Sequence, residues 1–226
     1  MTREPTREPG KEIALEGRAE IGARLFSPSV ARNRDPIRAV FLTHMPARGT
    51  ILEVGSGTGE HAVHLAAALP HVHWLPGDPD AASRASIASW IEHSGLRNLA
   101  APHAIDVAAA GWERAIAQPL DAVVSINMIH IAPFEAARGL FAGAGEILRA
   151  GGALFLYGPF SRGGAHTAPS NAEFDKSLRA RDPRWGVRDL DDDIAPIAQD
   201  CGLKLSMAVE MPANNFSVIF RKSPRR

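Results

Sequence analysis

TILEVGSGTG, residues 50–59, is the most informative stretch of this chain. Three strand-forming residues, Ile51, Leu52 and Val54, lead into glycines at every second position from 55 to 59, and a helix-forming segment follows. Such a strand–turn–helix forms a notch at a sheet edge, because glycine tolerates positive φ and lets a ligand lie against bare backbone. The stretch therefore predicts a nucleotide-like ligand.

The spacing of the glycines separates the ligand classes. A dinucleotide fingerprint, G-x-G-x-x-G, would need glycine at position 60, where the chain has Glu60. The pattern is instead E-x-G-x-G-x-G, beginning at Glu53. It resembles the first motif of S-adenosylmethionine (SAM) methyltransferases, which implies SAM as the cofactor. A NAD-dependent oxidoreductase and a glycine turn without a ligand are the weaker alternatives.

Length and composition favour one α/β domain, expected over residues 13–226, after a charged, proline-rich tail at 1–12 that is expected to be disordered. The 25 basic and 25 acidic residues balance, which argues against nucleic-acid or membrane partners. A single cysteine, Cys201, excludes an intrachain disulfide. With neither a secretion signal nor an apolar run of membrane-spanning length, we expect a cytoplasmic protein. The oligomeric state is not predicted.

Strands and helices alternate after a first helix, which Asp35 and Pro36 are expected to begin. The short connection at residues 211–215, MPANN, favours an antiparallel final pair of strands. Together with the class I methyltransferase fold that the first motif implies, this predicts a doubly wound, seven-stranded, mostly parallel sheet. Its order is 3-2-1-4-5-7-6, with strand 7 antiparallel. Strands are expected near residues 50–54, 72–76, 102–105, 121–126, 153–157, 203–210 and 216–221.

Polar residues follow several of these strands, and the carboxyl ends of parallel strands meet at one edge. Asp78, after the second strand, is placed to accept the ribose hydroxyls. Asp106, with Val107 beside it, matches the position where methyltransferases bind the adenine amino group. Asn127 and Met128 follow the fourth strand, where the sulfonium must lie.

Several segments together resemble an uncharacterised family of methyltransferase-like proteins, known in bacteria and animals under a domain-of-unknown-function label. The resemblance covers about residues 25–222, implies a class I fold and SAM binding, and names no substrate. The segments are RNRDPI (32–37), LEVGSGTGEHAVHLAAALPH (52–71), DPD (78–80), INMIHIAP (126–133), GLFAGAGEILRAGG (139–152), LYGPF (156–160), GGAHTAPSNAEFDKSLRARDPRWGVRD (163–189) and MPANN (211–215).

The predicted cofactor site combines the glycine loop, the strand ends and residues expected near the methionine end. No metal is expected, since His61 and His64 share a helical face but lack a third ligand of suitable spacing. The cofactor-binding residues are predicted to be Arg32, Asn33, Glu53, Gly55, Ser56, Gly57, Thr58, Gly59, His61, Asp78, Pro79, Asp106, Val107, Asn127 and Met128.

A long irregular segment, about residues 158–189, interrupts the alternation of strands and helices. Ser170 and Glu173 have the spacing of a helix capping box within it. A loop of this length in a small domain is usually functional, and this one is expected to cover a substrate. The alternative is a stable surface excursion.

Three residues are candidates for catalytic roles. His130 follows the fourth strand, Tyr157 ends the fifth, and His166 lies in the long segment. His130 could act as a general base, since imidazole titrates near neutral pH, or it could form a pocket wall.

The predicted function is in-line methyl transfer from SAM to a small-molecule acceptor. Positioning alone supplies much of such catalysis, so an obvious catalytic dyad is not required. One alternative is a protein that binds SAM or S-adenosylhomocysteine (SAH) as a sensor or partner, without methyl transfer. Another is a different SAM chemistry on the same scaffold.

Overall fold

The computed structural model describes residues 17–116 and 119–224, so the tail predicted for residues 1–12 lies outside the described part of the chain. The helices are α1 (Pro28–His44), α2 (Glu60–Ala68), α3 (Ala81–Ser94), α4 (Phe134–Ile147), α5 (Pro169–Arg181) and α6 (Ala195–Asp200). The strands are β1 (Ala19–Ile21), β2 (Arg24–Phe26), β3 (Gly49–Val54), β4 (Val72–Gly77), β5 (Leu120–Ile126), β6 (Leu148–Gly158), β7 (Ser161–Arg162), β8 (Ala165–His166), β9 (Leu203–Met211) and β10 (Asn215–Lys222).

The central sheet is mixed and mostly parallel, with the order β4-β3-β5-β6-β10-β9. The strands β4, β3, β5 and β6 run parallel to one another, and β10 is antiparallel to both β6 and β9. This confirms the doubly wound α/β class and the antiparallel last strand. Two small hairpins, β1–β2 and β7–β8, lie outside this sheet.

The predicted seven-strand order is not confirmed, because the central sheet has six strands in the described ranges. The segment expected as the third strand meets β4 only through two isolated bridges, from Leu99 to Trp74 and from His103 to Gly77. Pro102 lies between these bridges and has no N–H to donate, so it cannot extend a regular ladder. The segment still runs along the edge of β4.

Apolar side chains pack on both faces of the sheet, because successive residues of a strand point to opposite sides. On β6, Leu154 joins the cluster that contains Phe141 of α4. Its neighbour Phe155 packs on the other face against Phe41 of α1, with ring centroids 5.2 Å apart. Helices thus cover both faces and leave the carboxyl ends of the parallel strands accessible.

The first helix begins earlier than predicted. It starts at Pro28 and continues through Pro36, which was expected to begin it. Proline inside a helix removes a backbone hydrogen bond, but burial of Val30, Ile37 and Phe41 along the helix compensates. The first turns of α1 therefore extend over the carboxyl edge of the sheet.

None of the helices in residues 17–116 and 119–224 has the length and apolarity needed to span a membrane.

Candidate functional site

A cleft of about 1380 Å³ lies at the carboxyl ends of β3, β4, β5 and β6. Every residue predicted to bind the cofactor lines this cleft, with the exception of Gly59. The strand-end rule therefore brought together residues from four strands. The other side of the cleft is formed by α5 and by residues 212–215.

The three loop glycines all have positive φ, at 69°, 57° and 90° for Gly55, Gly57 and Gly59, but each has a different neighbour. A Cβ on Gly59 would lie 2.9 Å from the Cα of Ile87 in α3, so this glycine allows close helix packing. A Cβ on Gly57 would meet no atom closer than 3.8 Å and would project into open space. Gly57 is therefore the point where a ligand can lie against the backbone.

Asp78 connects the end of β4 to this loop. Its Oδ2 accepts a hydrogen bond of 2.9 Å from the Gly57 N–H, and its Oδ1 accepts one of 2.9 Å from the Asp80 N–H. Burial raises the pKa of Asp78, and these backbone hydrogen bonds oppose that rise. The carboxylate is thus held in a fixed orientation at the cleft.

Glu53 lies at the end of β3 in a fully enclosed position. The Trp74 Nε1–H donates a hydrogen bond of 3.1 Å to its Oε2. Burial raises the pKa of Glu53 to about 7, since the charged form loses its hydration. This acid therefore changes charge near neutral pH, beside the glycine loop.

Asp106 and Val107 form the opposite wall. The Asp106 Oδ1 accepts a hydrogen bond of 2.9 Å from the Ala108 N–H, which orders the turn, and the side chain stays exposed. Val107 is buried, and its carbonyl packs against Gly139 of α4 so closely that a side chain there would clash. Backbone and carboxylate groups are thus available for a heterocyclic base.

Asn33, in the first half of α1, connects α1 to two other elements across the cleft. Its Oδ1 lies 2.9 Å from the Nε2 of His61 in α2, and its side chain also hydrogen-bonds Tyr157 of β6. Burial lowers the pKa of His61 to about 3, so its ring is neutral and can donate from Nε2. These contacts join residues that are far apart in sequence, and no local pattern could have revealed them.

The structure does not bring the three candidate catalytic residues together. Tyr157 lines the cleft, whereas His130 and His166 do not. His166 lies in β8, where its Nε2 is 4.0 Å from the Oδ2 of Asp175. Their catalytic roles stay predictions, and the positions of the two histidines give those roles no support.

His130 is buried behind the cleft wall, with 1% of its surface exposed. Its Nδ1 accepts a 3.4 Å hydrogen bond from the Arg188 N–H, and its ring contacts Phe160 edge-to-face at 4.9 Å. Its Nε2 has no hydrogen-bond partner in the described residues and faces Gly158. Burial lowers the pKa of His130 to about 3, so the ring is a neutral packing element.

Several cleft residues were missed by the sequence reasoning. One face of α5 lines the cleft through Ser170, Phe174, Ser177 and Arg181, which have the i, i+4, i+7, i+11 spacing of a single helical face. That spacing could have identified them. The helix begins at Pro169, one residue before the expected cap.

The α5 side of the cleft is completed by the turn between β9 and β10. Asn171 Nδ2 donates a hydrogen bond of 2.9 Å to the Asn214 carbonyl, and Asn214 Nδ2 donates one of 3.0 Å to Ser170 Oγ. Ala213 and Asn214 adopt left-handed conformations, which point the turn toward α5. The long segment and the last turn therefore form one wall.

Arg188 positions the wall that follows β5. Its guanidinium donates hydrogen bonds of 3.0 Å to the Ile129 carbonyl, 2.8 Å to the Ala132 carbonyl and 2.9 Å to the Arg184 carbonyl. The sequence offered no signal for this contact, because it depends on how residues 182–188 pack. In the described ranges, no group of three His, Cys, Asp or Glu side chains could hold a metal ion.

Comparison with known families identifies the chain. A family described as "Protein of unknown function (DUF938)" matches residues 24–222. The chain belongs to this family. The match agrees with the family resemblance expected from the sequence and begins after Arg18, which lines the cleft.

Solved structures show the same methyltransferase-like fold at low sequence identity. An O-methyltransferase family protein from Burkholderia thailandensis is 16% identical with a TM-score of 0.73, and the match covers 88% of this chain and 58% of that one. CalO1, a methyltransferase in calicheamicin biosynthesis in its SAH-bound form, is 18% identical with a TM-score of 0.66, covering 87% and 54%. A candidate sarcosine dimethylglycine methyltransferase from Galdieria sulphuraria is 12% identical with a TM-score of 0.66, covering 90% and 94%. The chain thus spans somewhat more than half the length of the first two.

Proposed function

We propose that this protein is a SAM-dependent methyltransferase that acts on a small-molecule acceptor. The observation that carries the proposal is one continuous cleft with two differently built halves. One half holds the glycine loop and the acids at the strand ends. The other half holds α5 and the turn at residues 212–215.

The first half fits SAM in its chemistry. The open space beside Gly57 suits a ligand that lies against the loop, and the Asp78 carboxylate suits a ribose diol. Asp106 and Val107 would hold the adenine, while Glu53, Asn33 and the other predicted cofactor residues would surround the methionine end. When bound, SAM supplies a methyl group activated by a positively charged sulfur. The SAH-bound state of the similar CalO1 structure supports this assignment.

The second half provides the acceptor site. Pockets for one drug-sized ligand usually measure roughly 300–1,000 Å³, and the cleft, at about 1380 Å³, is larger. We propose that residues 158–189 cover the acceptor, as part of a single SAM-binding domain spanning about residues 13–226. The cytoplasmic location and the lack of nucleic-acid or membrane partners remain predictions.

The chain contributes mainly by positioning the two reactants and excluding water. Two cleft residues are unsuited to accept a proton at neutral pH, because burial raises the pKa of Tyr157 and lowers that of His61 to about 3. Orientation alone can lower a barrier by about 7–11 kcal/mol in well-aligned cases.

The experiment is calorimetric titration of the folded protein with SAM and SAH, followed by turnover with phenols, amines, carboxylic acids and thiols. Micromolar binding together with SAH formation supports the proposal. Binding without any SAH formation favours a sensor or partner protein, and methylthioadenosine as the product favours another SAM chemistry. A folded sample that binds neither ligand at millimolar concentration overturns the proposal, and a parallel titration with NAD tests the weaker cofactor alternative.

A further inference from the structure

A small hairpin, β1–β2, is attached to the cofactor side of the cleft. Leu25 N–H donates a hydrogen bond of 2.8 Å to Ser86 Oγ of α3, and Trp90 Nε1–H donates one of 3.0 Å to the Leu25 carbonyl. Phe26 packs edge-to-face on Trp90, with ring centroids 4.9 Å apart. The hairpin is therefore held on α3 by polar and aromatic contacts together.

The same contacts connect the hairpin to the glycine loop. The fully buried Ser86 hydroxyl accepts from Leu25 and donates a hydrogen bond of 2.7 Å to the Thr58 carbonyl. After the hairpin, Ser27 N–H donates a hydrogen bond of 2.8 Å to Oε2 of Glu60. The same oxygen accepts a second hydrogen bond, of 3.0 Å, from Thr58 Oγ1. The hairpin thus has a defined position relative to the loop.

Arg18 precedes this hairpin and reaches into the cleft, which it lines. Its Nη2 is the closest atom to the space beside Gly57, at 3.8 Å from the position of an added Cβ. Its positive charge acts on both Asp78 and Asp80. Arg18 therefore lies where the glycine loop and the ribose-binding carboxylate meet.

We propose that Arg18 is a positioning residue of the cofactor site, which borders the ligand beside Gly57 and balances the negative charge that Asp78 and Asp80 place at the cleft. This inference rests on the proposed SAM function. It extends the site beyond the region matched by the family, which begins at residue 24.

The charges around Asp78 explain why a cation is needed there. Asp80 at the N-cap of α3 and Glu53 on β3 add negative charge close to it. Arg84 of α3 donates a hydrogen bond of 2.9 Å to the Asp78 backbone carbonyl. Burial raises the pKa of the Asp78 carboxyl, and the charge of Arg18 lowers it. An ionised carboxylate accepts two ribose hydroxyls best, so ligand affinity should fall when Asp78 is protonated on acidification. Removal of Arg18 raises the pKa of Asp78, and this fall in affinity should then occur at higher pH.

The test is SAH titration of Arg18→Gln, Arg18→Lys and wild type between pH 5 and 8.5, at low and high salt. For Arg18→Gln we expect about two- to fivefold weaker binding at neutral pH. We also expect the midpoint, the pH at which binding is half-maximal, to be higher in Arg18→Gln than in wild type. High salt should reduce this difference between the two proteins, because it screens the charge of Arg18. Arg18→Lys keeps the charge and should keep the wild-type midpoint. Because Glu53 titrates near pH 7 and interacts with Asp78, the same series is also measured in a Glu53→Gln background.

Arg97→Gln is the matched control, because Arg97 is exposed and lies outside the cleft. Wild-type affinity and midpoint in Arg18→Gln would overturn the inference and leave the SAM function intact. Equal losses in the Gln and Lys variants with an unchanged midpoint would show a purely structural role, which also overturns it. If the wild-type protein itself does not bind SAH, both the proposed function and this inference fail.

Discussion

The backbone N–H of Gly57 donates a hydrogen bond of 2.9 Å to the Oδ2 of Asp78. The bond joins the loop after β3 to the end of the neighbouring parallel strand β4. Since the other carboxylate oxygen accepts from Asp80, the side chain has one orientation. The same acid therefore orders the loop and presents negative charge to the cleft.

The Asp78→Asn variant should bind SAH about 10- to 100-fold more weakly, because hydrogen bonds to a charged group are worth roughly 1.5–3 kcal/mol. An amide cannot accept on both atoms, so the protein should also lose stability. Calorimetry measures the affinity, and urea unfolding measures the stability.

Asp189→Asn separates these two effects. Asp189 also accepts backbone N–H groups on both oxygens, from Asp191 and Asp192 on Oδ1 and from Gly164 on Oδ2, but it does not line the cleft. This variant should lose stability and keep its SAH affinity. Equal losses of affinity in both variants would contradict a ligand-binding role for Asp78.

The loop glycines provide a matched pair of substitutions. Gly57→Ala should abolish most SAH binding at a stability cost of about 1–2 kcal/mol, the usual penalty for a left-handed alanine. Gly59→Ala carries the same penalty and must also displace Ile87 of α3, which adds about 1–3 kcal/mol. Thermal melts and SAH titrations test this ranking. A Gly57→Ala protein with wild-type affinity would show that the ligand does not lie against the loop.

The stability of the protein should depend on the protonation of Glu53. The pKa of Glu53 is raised from 4.5 to about 7 in the folded state, so the unfolded chain releases this proton first as the pH rises. Glu53 thus lowers stability progressively between pH 4.5 and 7, by roughly 3 kcal/mol in total. Glu53→Gln removes the titration and can still accept the hydrogen bond from Trp74.

The measurement is urea unfolding of the wild type and Glu53→Gln at pH 5 and pH 8. The unfolding free energy of the variant minus that of the wild type should be larger at pH 8 than at pH 5. The pKa values of His61 and His130 fall from 6.5 to about 3 on folding, so both residues favour the folded state above pH 6.5. This contribution to stability is lost as the pH falls from 6.5 to about 3. They contribute equally to both proteins and cancel. A difference between the proteins that is the same at both pH values would refute the Glu53 shift.

Arg188 should be important for the cleft wall after β5. Arg188→Met leaves three backbone carbonyls without this donor, and we expect a loss of about 2–4 kcal/mol in unfolding free energy. Hydrogen exchange should increase at residues 128–132. The control is Arg38→Met, since Arg38 forms a surface pair with the exposed Asp35 worth about 0–1 kcal/mol. Similar small effects in both variants would argue against Arg188 as a clamp.

Strand-end reasoning placed most of the predicted cofactor residues in one cleft, for a physical reason. Parallel strands end at one edge, so Asp78 after β4 and Asn127 after β5 face the same cleft, and Asp106 joins them because its segment runs along the edge of β4. The same rule placed His130 wrongly within reach of the cleft. Asn127 adopts a left-handed conformation with φ of 62° and begins a short helical turn, which directs His130 into the interior.

Local pattern was sufficient for the α/β class, the strand and helix succession, and the position of the glycine loop, because hydrophobic periodicity and glycine spacing act over a few residues. Long-range packing determined which polar groups meet. It placed Asn33 against His61, Arg188 under the wall after β5, and Arg18 beside Gly57. These contacts depend on how α1, the long segment and the first hairpin dock on the sheet, and such docking leaves no local signature in the chain.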